Sequence, residues 1–432
     1  MLSAIIQDTA MDYHSKYGLS RRNFLALSGS AGMALAVQPF NGFAGIGTKL
    51  PGHNEYADGF KALLEQLRVI LLDAFQRSMV TMDQKLHLHS PSVSAGYRGI
   101  WPDDFLYPLQ VQPDLYKKET LSDIAAFLTT SIVDLPVFPD RIEADGMPVM
   151  QPGQLSSPHG QTMPLHLPAA WIRLIDHLEK WGAVIPRKAE WAAIFQRSLE
   201  MVPYSCGLAF VDPQRPGVDF GYHDTEAITG FVLMTSVVHY FALNRAAGLF
   251  QGHVDPGVIQ KWKQKAAAIS TNLYRLFDDK EGAFLAGSKD CRQVNVWGNG
   301  LAYWISSASI QKSIVNFYRR NRKEIFLKGF TRQIAEPEGW KRHLVATPVG
   351  NYMNGGFWSV GTGWILPAIA DQDPSFALEI ATEMVDNIQK SDMAEWIDSK
   401  GKGGASGFLA GIAVPMMGLT AIIEKRPFSE YF

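Results

Sequence analysis

Five segments of this sequence are rich in aromatic rings and glycine, and three of them set carboxylates beside the rings. "GYRGIWPDDF" (96–105) carries Arg98, Trp101, Asp103 and Asp104, and "DFGYHDTEAITG" (219–230) carries His223, Asp224 and Glu226. "NVWGNGLAYW" (295–304) holds Trp297 and Trp304, "NYMNGGFWSVGTGW" (351–364) holds Asn354, Trp358 and Trp364, and "MAEWIDSKGKGGASG" (393–407) holds Glu395 and Trp396. These residue types together suit a sugar. Its C–H faces stack on indole and phenol rings, and its hydroxyls need carboxylates, Arg and Asn as paired acceptors and donors. A carboxyl close to aromatic groups is also favoured in its protonated form by desolvation, which is what a general acid needs near neutral pH. The bland alternatives stand beside these readings. Any of the tryptophans can instead plug a core, and Asp224 can be a helix N-cap with Thr225 to Ala227 as the first turn. Adjacent Asp103 and Asp104 cannot aim the same way from a turn, so one is expected at the ligand and the other on Arg98 or capping the next helix.

Other chemistries are excluded by what surrounds these segments. Lys plus Arg (40) nearly balances Asp plus Glu (42) with no basic stripe, so there is no electrostatic footprint for nucleic acid. The two cysteines, Cys206 and Cys291, form no CxxC, and no HExxH occurs, so neither a zinc nor a redox spacing is present. A Cys206–Cys291 disulfide requires a fold that brings their Cα atoms within about 7 Å. His87 and His89 alternate on one short segment and read as surface or hydrogen-bonded residues, not metal ligands. The run "SKGKGGASG" lacks the GK[ST] ending of a phosphate loop and reads as a mobile lip beside an acidic group. No cofactor or metal motif is found.

The elements that must hold these loops are helical. With 47% hydrophobic residues, the 432-residue chain buries a large core. "DPSFALEIATEMVDNIQK" shows the grammar: Asp373 as N-cap, Pro374 at the first helical position, then Phe376, Ile380, Met384 and Ile388 on one face. Asp255 with Pro256 opens a second such helix, and a third runs from Pro186. Periodicity places further helices near 57–80, 165–180, 224–247, 297–325, 360–370 and 406–424. The chain is therefore expected to be all-α, with aromatic and glycine-rich loops on a rigid scaffold. At the N-terminus, Arg21 and Arg22 precede a short, weakly hydrophobic stretch from Phe24 to Val37. That pattern fits a twin-arginine export signal over 1–44, followed by a linker over 45–56 and a folded domain over 57–432. It implies a periplasmic or secreted protein that meets the membrane only during export; a buried helix is the other reading of the same stretch.

Many helices joined by Trp- and carboxylate-bearing loops resemble the six-hairpin glycosidases, whose fold is an (α/α)6 barrel. "YRGIWPDDF" is similar to the Trp and acid motif of the glucosidase and amylo-1,6-glucosidase type, "GYHDTEAITG" to the middle loop that supplies the acid, and "VNVWGNGLAYW" and "NGGFWSVGTGW" to their aromatic barrel segments. "EW" at 395–396 falls where the base would be. The middle loop lacks the glycine and tryptophan that commonly precede the acid, so the choice between Asp224 and Glu226 stays open. The resemblance implies an inverting glycoside hydrolase with Asp224 as acid and Glu395 as base. Arg98, Trp101, Asp103 and Asp104 would then grip the sugar, with His223, Glu226, Trp297, Asn354, Trp358, Trp364 and Trp396 contributing to its binding. Three competitors remain: an epimerase using His223 and His343, a polysaccharide lyase, and a carbohydrate-binding protein without turnover.

Overall fold

The computed structural model describes residues 53–82, 85–93, 97–154, 157–158 and 163–432. The export signal expected over 1–44 lies outside the described residues, as does most of the expected linker. The first helix already begins at His53.

Twelve helices of seven residues or more are found among the described residues. They are α1 (His53–Arg77), α2 (Pro102–Val111), α3 (Lys118–Ile132), α4 (Leu167–Lys180), α5 (Lys188–Met201), α6 (Leu233–Leu249), α7 (Pro256–Asn272), α8 (Val296–Ala302), α9 (Ala308–Arg320), α10 (Ser359–Gln372), α11 (Pro374–Lys390) and α12 (Ala410–Glu424). They sort into two kinds. In α11 the N-cap is Asp373, whose side chain accepts from Phe376 N at 3.1 Å; Ala377, Ile380, Ala381, Met384 and Ile388 are buried along one stripe. Helices α6, α10 and α12 are instead apolar on all sides and buried almost end to end. A helix of that kind must lie inside others.

The packing bears this out. Helices α2, α4, α6, α8, α10 and α12 each contact the next, and α12 returns to α2, which closes an inner ring of six. Outside it, α1 lies on α12, α3 and α5 on α4, α7 on α6, and α9 and α11 on α10. The alternation of inner and outer helices is the expected (α/α)6 barrel. Two inner helices meet backbone to backbone. A Cβ on Gly363 of α10 would stand 2.5 Å from the Val414 carbonyl, and one on Gly418 of α12 would stand 2.6 Å from the Gly363 oxygen. Glycine at both positions is what lets the two axes approach.

The loops at the N-terminal ends of the inner helices contain short antiparallel strands. β1 (Met79–Met82) pairs with β2 (Leu86–His89), while β3 (Gly99–Ile100), β4 (Arg141–Glu143) and β5 (Pro148–Val149) form a small sheet in front of α2. Sequence periodicity missed α2 and α3. It also began α6 too early: residues 224–232 form a turn and a short strand pairing, and the helix starts at Leu233. The region expected to be one helix over 297–325 is broken by the tight turn Tyr303–Ile305.

Candidate active site

Each inner helix is preceded by a loop, and the acidic motifs occupy these loops. Trp101, extended at φ −87° and ψ 125°, is the N-cap of α2, so Asp103 and Asp104 fall in its first turn, where the helix dipole favours negative charge. Asp224 ends a 3-10 turn (Gly221–His223) ahead of α6, not at a helix N-cap. Glu395 stands ahead of α12 on a hairpin. Its N–H bonds Ala405 O at 2.7 Å, Gly404 N–H bonds Trp396 O at 2.8 Å, and the Asp398 carboxylate accepts from the N–H groups of Lys400 and Lys402. The glycine-rich run is thus folded back onto the acid's strand by hydrogen bonds, not a free lip. Phe357 and Ile397 exchange two bonds of 2.9 Å, which fixes that strand to the segment carrying Tyr352.

Three carboxyl groups from these loops lie within electrostatic reach of Tyr97, and two of them within reach of the third, Glu395. Glu395 is buried, and desolvation, then repulsion by Asp104 and by Asp224, pushes its pKa up to about 8 against a hydrogen bond from Tyr97. Asp104 is pushed to about 7 by desolvation, offset in part by the 2.7 Å hydrogen bond from the Tyr222 hydroxyl. Asp224 accepts from the Tyr352 hydroxyl at 3.3 Å. Tyr97 feels Glu395, Asp104 and Asp224 together, and they hold its phenol protonated well above the usual range. A fourth acid, Asp140, receives the Trp101 indole N–H; desolvation raises it to about 6, with Asp224 adding repulsion. Burial thus favours the protonated forms of Glu395 and Asp104 in an acidic cluster lined by three phenols that donate into it. Among the described residues, no three His, Cys, Asp or Glu stand close enough to hold a metal ion together.

Several expected site residues are elsewhere. Asp103 turns away from Asp104 and pairs with Arg173 at 2.5 Å, with His166 3.6 Å off; the anticipated partner Arg98 is exposed. His223 is 1% exposed, bonded through Nδ1 to Asp219 at 2.9 Å and through Nε2 to Asn295 at 3.1 Å, where Asn295 caps α8. It ties the turn carrying Asp224 to a neighbouring helix and is shut off from solvent. Glu226 is fully buried, 2.6 Å from His343 Nδ1. Asn354 is buried too: its Oδ1 accepts from Trp340 N and its Nδ2 donates to Thr347 O, each at 2.8 Å. Trp297, Trp358 and Trp364 are wholly buried and make edge-to-face contacts with one another and with Tyr222. They are the floor under the acidic cluster, not walls of a binding site. Gly361 shows the fit, since a Cβ there would stand 2.0 Å from the Trp297 indole nitrogen. Trp396 is half-buried and covers its own hairpin, its indole lying where a Cβ on Gly404 would fall. Only Trp101 remains at the rim, half-buried, with Arg141 5.1 Å from its ring centroid and Tyr97 edge-on at 5.4 Å.

Four site residues were not singled out from the sequence. Tyr97, Tyr222 and Tyr352 sit inside motifs that were, and a phenol within two to six residues of a motif carboxylate or tryptophan is the signal that marks them. Asp140, in "FPDR", gave none. Both cysteines are unpaired, Cys206 exposed and Cys291 buried.

The helices form an (α/α)6 barrel, and the loops ahead of its inner helices carry the acidic cluster. No protein-family model and no curated protein matches the sequence. Among solved structures, the chain is similar to the GH63 mannosylglycerate hydrolase of Thermus thermophilus in complex with glucose, with a TM-score of 0.55 at 13% identity over 83% of this chain and 100% of that one. A rhamnosidase from Klebsiella oxytoca with rhamnose bound gives a TM-score of 0.56 at 12% identity, covering 82% of this chain and 63% of its own. A bacterial glucoamylase complexed with acarbose gives 0.55 at 13%, covering 79% and 53%. At these identities the likeness is one of fold.

Proposed function

We propose that this protein is a glycoside hydrolase working by acid and base catalysis with inversion. The observation that carries the reading is the meeting of Asp104, Asp224 and Glu395, brought from three distant loops into one electrostatically coupled group. Hydrolysis of a glycosidic bond needs one protonated carboxyl to give a proton to the departing oxygen and one ionised carboxylate to take a proton from water. Burial first, and repulsion second, favour the protonated forms of Glu395 and Asp104, and neighbouring carboxyls in such a group can hold one proton-bearing and one ionised member. Asp224 and Glu395 are assigned as the acid–base pair, with Asp224 as the acid and Glu395, in its ionised form, as the base. Asp104, held by Tyr222, accepts hydroxyl protons from the sugar, and Trp101 offers the rim ring for stacking. Inversion calls for the two catalytic carboxyls to stand roughly 6.5–9.5 Å apart, leaving room for the water. The burial of His223 and the pairing of His343 with buried Glu226, 2.6 Å away, speak against the epimerase alternative, which needs histidines free to shuttle protons at the sugar. That the similar structures hold glucose, rhamnose and acarbose supports a carbohydrate ligand.

The test is a panel of aryl glycosides and oligosaccharides with proton NMR of the first-formed product. Hydrolysis giving the anomer opposite to the substrate's is expected; retention, an isomer of unchanged mass, or an unsaturated product contradicts the assignment. Roles separate by leaving group. Asp224→Asn should keep activity on glycosides whose aglycone leaves without protonation, and Glu395→Gln should not; the reverse pattern would exchange the two roles. Export is proposed from Arg21 and Arg22, and their replacement by Lys should hold the protein in the cytoplasm on cell fractionation.

A further inference from the structure

An arch of chain stands with both feet on the turn that carries Asp224. At one foot, Leu344 N and Val345 N both bond Thr225 O, at 2.8 and 3.2 Å, and Arg342 O accepts from Ala227 N at 3.1 Å. At the other, the Tyr352 hydroxyl bonds Asp224 Oδ2 at 3.3 Å. The span between is braced from within: Asn354 Nδ2 donates to Thr347 O at 2.8 Å, and Gly350 N bonds Asn354 O at 2.7 Å. Its sequence from 344 to 350 is LVATPVG, and no Asp, Glu, Lys or Arg follows until Asp371. Leu344 and Val345 are half-exposed, Ala346 and Pro348 exposed, and Val349 is 56% exposed. The one hydroxyl in the stretch, on Thr347, is directed back onto Val345 O at 3.3 Å.

Leu344, Val345, Ala346, Pro348 and Val349 thus place five apolar side chains at least partly open to water within six residues, a contiguous strip that a ligand can cover. Its place says which ligand. In the reaction proposed above, on which this inference rests, the acid protonates the oxygen shared by sugar and leaving group, so the leaving group lies on the acid's side of the bond. The arch rooted beside Asp224 borders that space. A second sugar there would surrender water from its hydroxyls and find, over residues 344–349, no charged side chain and a single hydroxyl whose proton is already given to Val345 O, which is a penalty; an alkyl or aryl alcohol would lose little. We propose that residues 344–349 form the leaving-group subsite and that the substrate is a glycoside of an apolar alcohol, not of a sugar or a polyol.

The experiment compares methyl, octyl and glyceryl glycosides of one sugar, taken from the panel above and kept below the micellar concentration, so that the three leaving alkoxides differ mainly in apolar surface. The expected result is a kcat/KM for the octyl glycoside at least tenfold above the methyl one, with the glyceryl glycoside no better than methyl. Val349→Asp should reduce the octyl-to-methyl ratio severalfold. Equal rates for octyl and methyl, a preference for glyceryl, or a ratio that Val349→Asp does not move would overturn the inference while leaving the hydrolase reading intact. If no glycoside is turned over, that reading fails by itself, and calorimetric binding of the same three compounds decides the subsite. Tenfold tighter binding of the octyl glycoside, lost in Val349→Asp, sustains it; equal binding sinks it.

Discussion

At the scale of single residues, burial is what converts ordinary carboxyls into a working set. Glu395 and Glu226 are each raised to about 8 and Asp104 to about 7, in every case by desolvation first. The native state therefore holds protons that the unfolded chain releases from about pH 4 upward. The sign follows: this contribution to stability is fully present below the unfolded pKa and is lost as pH rises through about 7 to 8. Thermal unfolding should accordingly show a higher Tm at pH 5.5 than at pH 8.5. Glu395→Gln and Asp104→Asn should each raise the Tm at pH 8.5 more than at pH 5.5. A Tm that climbs across the window, with variants that follow it unchanged, would contradict the assignment of these protons. The tryptophans act differently, through packing. Trp364→Ala empties a fully buried site under Tyr222 and should cost about 3–5 kcal/mol in urea unfolding; a loss below about 1 kcal/mol would show that the ring is not core.

At the scale of elements, what the sequence disclosed and what it hid have physical causes. Asp373 and Asp255 both cap helices as their spacing predicts, because an Asp–Pro pair satisfies one orphan N–H and removes another. Helix α3 carries Leu121, Ile124, Ala125, Leu128 and Ile132 at helical spacing, so its signal was present and passed over. Helix α2 was masked by the motif at its start and by Pro108 inside it. The loops disclosed which residues matter but not which way they face. Asp103 and Asp104 are adjacent, yet one pairs with Arg173 and the other enters the acidic cluster, and only the helix beginning at Pro102 separates them. Trp297, Trp358 and Trp364 read as sugar platforms because tryptophan serves floor and wall alike. Asn354 was chosen for its neighbours, and its work is to brace the arch. At the contact of α10 and α12, Gly363→Ala places a methyl on the Val414 backbone and should lower stability by about 1–3 kcal/mol. An unchanged Tm would mean that the two helices are not held at glycine distance.

At the scale of the whole molecule, the barrel explains why segments about 300 residues apart in sequence reach one place. Inner helices in a closed ring present their N-terminal loops to a common space, so Asp104, Asp224 and Glu395 converge without any local sequence relation. The central claim is that two of these groups act on the same bond in the same step. A double-mutant cycle measures that directly. With hydrolysis of a glycoside whose aglycone must be protonated to leave, by the native protein, Asp224→Asn, Glu395→Gln and the double variant, each single change should lower kcat by about a hundredfold to ten-thousandfold, and the double variant should be no slower than the worse single one. Single variants at near-native rates, or losses that multiply in the double variant, would contradict the account.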